Sequence, residues 1–169
     1  MNTYEFSQSK IFHFAKEEDV VSLKRKLAFW KFKSQSIVFT NGCFDILHLG
    51  HIDYLSKAAD LGNVLIVGLN SDSSVKQIKG SNRPLNKEND RAILLASLGF
   101  IKSVVIFEEE TPYELIKTVS PDILVKGSDY DIDKIIGHDI VKANGGEIKT
   151  IDFLEGYSTS FLINKIKSA

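Results

Sequence analysis

The sequence has almost no cysteine, no long apolar segment and almost no net charge. Its single cysteine, Cys43, excludes an internal disulfide and a cysteine-based zinc site, so a reducing setting is expected. The longest apolar runs, such as VLIVGL, are far too short to span a bilayer, and the polar, acidic N-terminus has no signal-peptide stretch. We therefore predict a cytoplasmic protein.

Several common classes of ligand are also disfavoured by what is missing. The net charge of -1 and the pI of about 6.4 give no overall attraction to nucleic acid or to an anionic membrane. No G-x-G-x-x-G follows the first predicted strand, which disfavours a dinucleotide site, and no G-x-x-x-x-G-K-[ST] is present, which disfavours a P-loop NTPase. Neither nucleic acid nor a membrane is expected as a partner.

The remaining pattern is that of one α/β domain. The 169 residues are 43% hydrophobic and 25% charged, as is usual for a globular protein. Short apolar blocks alternate with amphipathic stretches, and unbroken apolar blocks indicate parallel strands that helices cover on both faces. The predicted strands are 36–40, 64–69, 103–107, 122–126 and 147–151. The predicted helices are 17–32, 50–60, 86–98, 111–119, 132–143 and 158–167.

We divide the chain into an N-terminal extension, residues 1–35, with one helix, and a domain over residues 36–169. An open α/β sheet binds its ligand beyond the carboxyl ends of its strands. The loops after residues 40, 69, 107, 126 and 151 are therefore the places to look for chemistry.

Two histidines stand at the predicted helix start after the first strand, within TNGCFDILHLGH (residues 40–51). A helix N-terminus suits phosphate, Gly50 lets a phosphate approach the backbone, and His48 and His51 could donate hydrogen bonds to its oxygens. A metal site needs further ligands, and none is evident in the sequence. Two capping or otherwise structural histidines are the third interpretation, and the spacing alone leaves it open.

This stretch resembles the signature of the HIGH-motif nucleotidyltransferases, which include cytidylyltransferases and phosphopantetheine adenylyltransferase. The resemblance extends over nearly all of residues 36–167 through GLNSDSSVKQIKGSNRPLN, DRAILLASL, VKGSDY, ANGGE and EGYSTS. Together these motifs look most like the D-glycero-β-D-manno-heptose 1-phosphate adenylyltransferases. The resemblance implies a Rossmann-like three-layer α/β fold with a mainly parallel five-stranded sheet in strand order 3-2-1-4-5.

The resemblance also implies roles for individual residues. Three are expected to be catalytic, His48, His51 and Lys79, the last as a mobile lysine that balances charge on the α-phosphate. Substrate contacts are expected from Asn70, Asp72 and Arg83. Nucleotide contacts are expected from the following residues: Thr40, Asn41, Gly42, Phe44, Gly50, Arg91, Lys126, Gly127, Asp129, Tyr130, Ser158, Thr159 and Ser160.

Each role has a structural alternative that the sequence leaves open. Arg91 could form a salt bridge within its helix, and Asp72 could cap a turn. Hydroxyls such as that of Ser158 either cap a helix or bind phosphate. Asp45 is expected to brace its loop, because a carboxylate that faces a triphosphate would be repelled. Cys43 is expected to be a small buried filler and not a nucleophile.

The implied reaction joins ATP and heptose 1-phosphate to give ADP-heptose and pyrophosphate for lipopolysaccharide. The alternatives are a cytidylyltransferase for a polyol phosphate such as glycerol 3-phosphate, and a nucleotide-binding module without turnover. Mg2+ is expected with the triphosphate, with no dedicated protein site. A separate sugar kinase is expected because no kinase domain precedes the motif. The apolar stretch LGFIKSVVIF and family habit suggest a homodimer.

Overall fold

The computed structural model describes residues 2–168 and has a single parallel sheet between layers of helices. Its strands and helices, in chain order, are α1 (Thr3–Gln8), β1 (Ile11–His13), α2 (Glu17–Phe32), β2 (Ile37–Gly42), α3 (Leu49–Ala59), β3 (Val64–Asn70), α4 (Asp72–Lys79), α5 (Glu88–Ala96), β4 (Ile101–Phe107), α6 (Tyr113–Val119), β5 (Ile123–Gly127), α7 (His138–Ala143), β6 (Glu147–Ile151) and α8 (Thr159–Lys167). Within residues 2–168, no helix combines the length and the apolar composition that a membrane crossing needs.

The sheet has six strands in the order β1-β4-β3-β2-β5-β6, and every neighbouring pair is parallel. The predicted Rossmann-like α/β class is confirmed. The prediction of a five-stranded sheet is wrong, because β1 adds a sixth strand at the edge beside β4; the other five strands, β4-β3-β2-β5-β6, follow the predicted order 3-2-1-4-5 when they are numbered from β2. The strand that was missed, β1, has three residues and therefore no measurable alternation. Tertiary contacts form it: it pairs with β4, and the Asp19 carboxylate accepts a hydrogen bond from the His13 amide at 2.8 Å.

The N-terminal segment carries two helices and a strand where one helix was expected. Phe12 of β1 is 5% exposed and packs with Leu23 and Leu27 of α2 against the sheet. The Lys10 ammonium is also buried and donates to the Ala96 carbonyl at 2.9 Å, at the end of α5. The segment is therefore tied into the same sheet and core as the rest of the chain.

The core lies on both faces of the sheet, as the unbroken apolar blocks indicated. All seven residues of β3 are buried. Along β2, Phe39 faces α2, α6 and α7, whereas Val38 faces α3 and α5. The stretch LGFIKSVVIF lies in this core, since Ile101 and Val104 to Phe107 are buried in β4. It therefore forms no exposed apolar surface for a homodimer.

Two further helix predictions need correction. The predicted helix 132–143 is a single 3-10 turn, Ile132–Lys134, followed by α7, because Gly137 has a left-handed φ of 86° against the Ile116 side chain. No helix was predicted over residues 72–79, yet this stretch forms α4. The Ser71 hydroxyl caps this helix by accepting from the Ser74 amide.

Candidate nucleotidyl-transfer site

The two histidines lie where β2 leads into α3, at the carboxyl edge of the sheet. Their rings stack face to face, with centroids 3.8 Å apart and an interplanar angle of 22°. The edge of Phe44 packs on His51 at 5.3 Å. His48 occupies the N-cap position of α3, but its side chain makes no capping hydrogen bond. The capping interpretation of this histidine is therefore not supported.

Both Nδ1 atoms of this pair are buried and have no hydrogen-bond partner among residues 2–168. A buried polar atom without a partner costs roughly 1–3 kcal/mol, so it calls for an explanation. For His51, whose ring lines the neighbouring cavity, a ligand that brings hydrogen-bonding oxygens supplies one. The geometry thus favours a binding role for His51 over a purely structural one.

The histidines are held neutral before any ligand arrives. Burial, followed by the neighbouring charges of His48 and Lys79, lowers the pKa of His51 from 6.5 to about 4. Burial also lowers the pKa of His48. At neutral pH each ring therefore presents one N–H donor and one acceptor nitrogen.

This shift predicts a pH dependence of stability. The unfolded chain takes up a proton on His51 near pH 6.5, whereas the folded chain does so only near pH 4. The free energy of unfolding should therefore fall as the pH decreases from about 6.5 to about 4. Urea denaturation at pH 7 and pH 5 measures this fall in the free energy of unfolding. The fall should be smaller for His51→Gln than for the wild type. An identical fall in both proteins would contradict the assigned environment.

Gly50 has a different role from the one expected. A Cβ atom at this position would lie 2.9 Å from the Tyr157 Cβ and 3.2 Å from the His48 Nδ1. The space beside Gly50 is therefore filled by Tyr157 and the His48 ring and is not open to a phosphate. The glycine lets the segment before α8 pack directly on the start of α3.

A cavity of about 420 Å³ opens beside this pair, across the carboxyl ends of β2 to β6. Twelve of the predicted residues line it: Asn41, Gly42, Phe44, His51, Asn70, Lys79, Arg83, Lys126, Gly127, Asp129, Tyr130 and Thr159. Seven do not: Thr40, His48, Gly50, Asp72, Arg91, Ser158 and Ser160. The cavity thus lies beyond the carboxyl ends of the strands, where an open α/β sheet was expected to bind its ligand.

Thr40 lies beneath the cavity and not on its surface. It is fully buried, and its hydroxyl lies 2.8 Å from the Tyr54 hydroxyl, which does line the cavity. Burial raises the pKa of Tyr54 to about 12, so the phenol stays protonated. Thr40 orients this ring from beneath the cavity.

Arg91 holds the site together from inside the protein. Its guanidinium is completely buried, donates to the carbonyls of Asn86, Cys43 and Asn70, and pairs with Asp72 at 2.8 Å. These bonds link the loop after β2 with the ends of β3 and the start of α5. Arg91 and Asp72, for which phosphate and substrate contacts were expected, are thus engaged with each other, and neither lines the cavity.

This arrangement makes Arg91→Lys a test of stability. A lysine keeps the charge but cannot replace the forked set of hydrogen bonds. Losing two such bonds at about 1 kcal/mol each predicts a loss of roughly 2 kcal/mol and a fall in Tm of roughly 4–8 °C. A variant with wild-type Tm but severely reduced turnover would instead indicate a direct phosphate contact.

Asp45 braces the site, as expected. Its carboxylate accepts hydrogen bonds from the amides of Leu85 and Asn86 and pairs with the Arg83 guanidinium. This ties the segment after α4 to the loop after β2. Arg83 lines the cavity but shares its charge with Asp45.

Lys79 is the last residue of α4 and not part of a loop. Its ammonium makes no ion pair or hydrogen bond with any residue between 2 and 168, and it lines the cavity. It is close enough to His51 and Cys43 to shift the pKa of each downward. An unpaired cation thus shares the cavity with His51.

Lys126 extends from the end of β5 into the opposite part of the cavity. Its ammonium donates to the Asn41 side-chain oxygen and lies 5.5 Å from the centre of the Tyr130 ring. Burial lowers the pKa of Lys126 to about 8, and the charge of Asp129 opposes the shift. The Phe153 ring fills the space that a side chain at Gly127 would need, so the glycine admits this ring.

The three hydroxyl residues at the start of α8, Ser158, Thr159 and Ser160, do not share one role. The Ser158 side chain caps α8 by accepting from the Phe161 amide at 3.0 Å, whereas Thr159 lines the cavity. Ser160 is exposed and outside it. Ser158 therefore caps the helix, which was the structural alternative to binding phosphate.

Several lining residues were not among the predicted ones, chiefly Tyr54, Ile78, Glu110, Pro112, Ile135, Ile136 and Phe153. Glu110 and Phe153 do lie in the loops after residues 107 and 151, which were among the loops expected to carry the chemistry. Cys43 also lines the cavity, and burial raises the pKa of its thiol. Within residues 2–168, no three His, Cys, Asp or Glu side chains are grouped to hold a metal ion.

Comparison with known proteins places this geometry in a family. The family model described as Cytidylyltransferase-like matches residues 39–164, about three quarters of the chain. The chain belongs to the cytidylyltransferase-like family. This confirms the predicted family and, at that level, the predicted class of nucleotidyltransferases.

Relatives within the family share much of the sequence. Bifunctional protein HldE of a Nitratiruptor species is 60% identical over 136 residues, which cover 80% of this chain and 29% of that protein. Bifunctional protein HldE of Campylobacter fetus subsp. fetus is 54% identical over 151 residues, 89% of this chain and 32% of the relative. The chain thus spans about 30% of the length of these curated relatives.

Solved structures agree with the fold. The lipopolysaccharide core biosynthesis protein from Thermoplasma volcanium GSS1 matches with a TM-score of 0.59 and 30% identity, over 73% of this chain and 99% of that one. A pantoate-beta-alanine ligase from Francisella tularensis matches with a TM-score of 0.54 but only 17% identity, over 94% and 78% of the two chains. The second similarity concerns the fold alone.

Proposed function

We propose that this chain is an adenylyltransferase that joins ATP and D-glycero-β-D-manno-heptose 1-phosphate, giving ADP-heptose and pyrophosphate. The observation that carries the proposal is that His51, whose ring stacks on that of His48, lines one cavity with the Lys79 ammonium, which has no partner among residues 2–168. Similarity to proteins named HldE and to a lipopolysaccharide core biosynthesis protein supports the choice of sugar and pathway.

In the proposed reaction an oxygen of the sugar phosphate attacks the α-phosphorus of ATP, and pyrophosphate leaves. The reacting groups are all anionic, so the protein must align them and stabilise charge, without a covalent nucleophile. His48 and His51 donate hydrogen bonds to the phosphate oxygens, and Lys79 balances the charge that develops at the α-phosphate. Cys43, a buried thiol with a raised pKa, takes no part.

The remaining cavity residues bind the two substrates. Lys126, Asp129 and Tyr130 are proposed to contact the nucleotide, together with Asn41, Gly42, Phe44, Gly127 and Thr159. Asn70 and Arg83 are proposed to contact the sugar phosphate. Mg2+ is proposed to arrive with ATP and to be held mainly by phosphate oxygens and water.

We further propose that phosphorylation of the sugar is carried out by a separate kinase, since the proposed roles use only one nucleotide site. The enzyme is proposed to act in the cytoplasm, where ATP is available. A homodimer is proposed on the family resemblance alone, and sedimentation analysis would test it.

The test of the proposed function offers ATP or CTP with heptose 1-phosphate, heptose 7-phosphate or glycerol 3-phosphate, in the presence of magnesium. We expect ADP-heptose and pyrophosphate from ATP with heptose 1-phosphate alone, as measured by mass spectrometry. Rapid formation of CDP-glycerol would replace the proposal with a polyol-phosphate cytidylyltransferase. Nucleotide binding without any product would indicate a non-catalytic module.

A further inference from the structure

Glu110 is a cavity-lining acid that the proposed reaction does not use. It lies three residues beyond the end of β4 and is exposed to solvent. Within residues 2–168 its carboxylate has no ion pair and no hydrogen-bond donor, in contrast to Glu109, which accepts from the Glu108 amide. A free negative charge repels anions, so its presence in a cavity proposed to bind two anionic substrates calls for an explanation.

The charges of the other two carboxylates that line the cavity, Asp45 and Asp129, are compensated by nearby cations. Asp45 is paired with Arg83 and accepts two backbone amides, so its charge is compensated. Asp129 lies near Lys126, whose pKa it raises. Glu110 has no comparable partner among residues 2–168. Because a free carboxylate repels phosphate, the part of the ligand that it faces must be uncharged.

The sheet order indicates which part of the ligand this is. β4 and β5 are separated by β3 and β2, so their carboxyl ends are about 14 Å apart at a strand spacing of roughly 4.8 Å. The β5 end carries Lys126 and the exposed ring of Tyr130, which suit a nucleotide. Glu110 follows β4 at the other end, and His51 lies between the two. The β4 end is therefore the place for the acceptor.

We propose that Glu110 is a specificity-determining residue that accepts hydrogen bonds from hydroxyl groups of the sugar phosphate. This inference rests on the proposed function and identifies a residue that recognises the sugar part of the acceptor. An ionised carboxylate offers two acceptor oxygens and no donor, so it can bind two neighbouring hydroxyls at once. An acceptor that lacks those hydroxyls gains nothing from it.

The test compares Glu110→Ala with Glu109→Ala, a matched removal of the same charge in the same loop but outside the cavity. Hydrogen bonds to a charged group predict that Glu110→Ala raises KM for heptose 1-phosphate on the order of 10- to 10²-fold. KM for ATP should not change. The wild type should also prefer heptose 1-phosphate over a deoxy-sugar 1-phosphate, and Glu110→Ala should lose much of that preference.

Equal kinetics of the two variants would overturn the inference. A change in the KM for ATP or in the magnesium requirement, with the KM for the sugar intact, would also overturn it, since the carboxylate would then serve the metal–triphosphate. Glu110→Gln provides a second variant should the alanine variant fold poorly. Calorimetric titration of heptose 1-phosphate in the presence of an ATP analogue with a methylene bridge between the α- and β-phosphorus atoms, which cannot release pyrophosphate, measures acceptor binding without turnover. It therefore shows whether Glu110 contributes to binding of the acceptor, even if the wild type gives no product and the proposed function fails.

Discussion

Replacing His51 with alanine is expected to lower kcat by about 10² to 10³, the usual cost of removing one preorganised donor to a developing oxyanion. The ring lines the cavity, stacks on His48, and has a buried Nδ1 without a partner among residues 2–168. His48→Ala should show a loss of at least about 10² for the same reason. Steady-state kinetics together with thermal unfolding measure both effects.

The matched control for the histidines is His13→Ala. His13 lies in the edge strand β1 and does not line the cavity, so its loss should leave kcat close to that of the wild type. If His48→Ala and His51→Ala both turn over nearly normally, the phosphate-binding role is wrong. If their activity falls only in proportion to a loss of folded protein, the histidines are structural.

Lys79→Ala is expected to lower kcat by about 10² while the KM for ATP changes little. An ammonium that meets the α-phosphate mainly as charge develops contributes to the transition state and not to ground-state binding. The unpaired position of Lys79 at the end of α4, facing the cavity beside His51, is the structural reason. Lys79→Arg should recover part of the activity because it retains the charge.

Lys76→Ala is the control for this prediction. It removes the same charge from the same helix, but Lys76 is exposed and does not line the cavity. Its kinetics should match those of the wild type. An unchanged kcat with a raised KM for ATP in Lys79→Ala would show that the lysine only binds the nucleotide.

The sequence predicted those parts of the fold that arise from local patterns. The buried block Val64–Asn70 indicated a central parallel strand, and it is one. Strand β1 and helix α4 were missed because each is short: β1 has three residues, and α4 has only two apolar residues, Val75 and Ile78. β1 exists through its pairing with β4, and α4 through the Ser71 cap and the ion pair of Asp72 with Arg91.

For the site, the sequence indicated the right loops more reliably than the right contacts. Asp45 was correctly expected to brace its loop, because a simple charge argument sufficed. Arg91 and Thr40 were assigned to the ligand because they resemble residues of a motif, yet both are buried beneath the cavity. Whether a motif residue touches the ligand or supports a residue that does depends on burial, which a motif does not encode.

The most direct test of the central claim follows oxygen atoms through the reaction. The chain is incubated with ATP, magnesium and heptose 1-phosphate that carries oxygen-18 in its terminal phosphate oxygens, and the products are analysed by phosphorus NMR and mass spectrometry. Attack by the sugar phosphate on the α-phosphorus predicts ADP-heptose with the label at the oxygen bridging the two phosphorus atoms and on the sugar-side phosphate, together with unlabelled pyrophosphate. Release of AMP, or pyrophosphate that carries the label, would contradict the account.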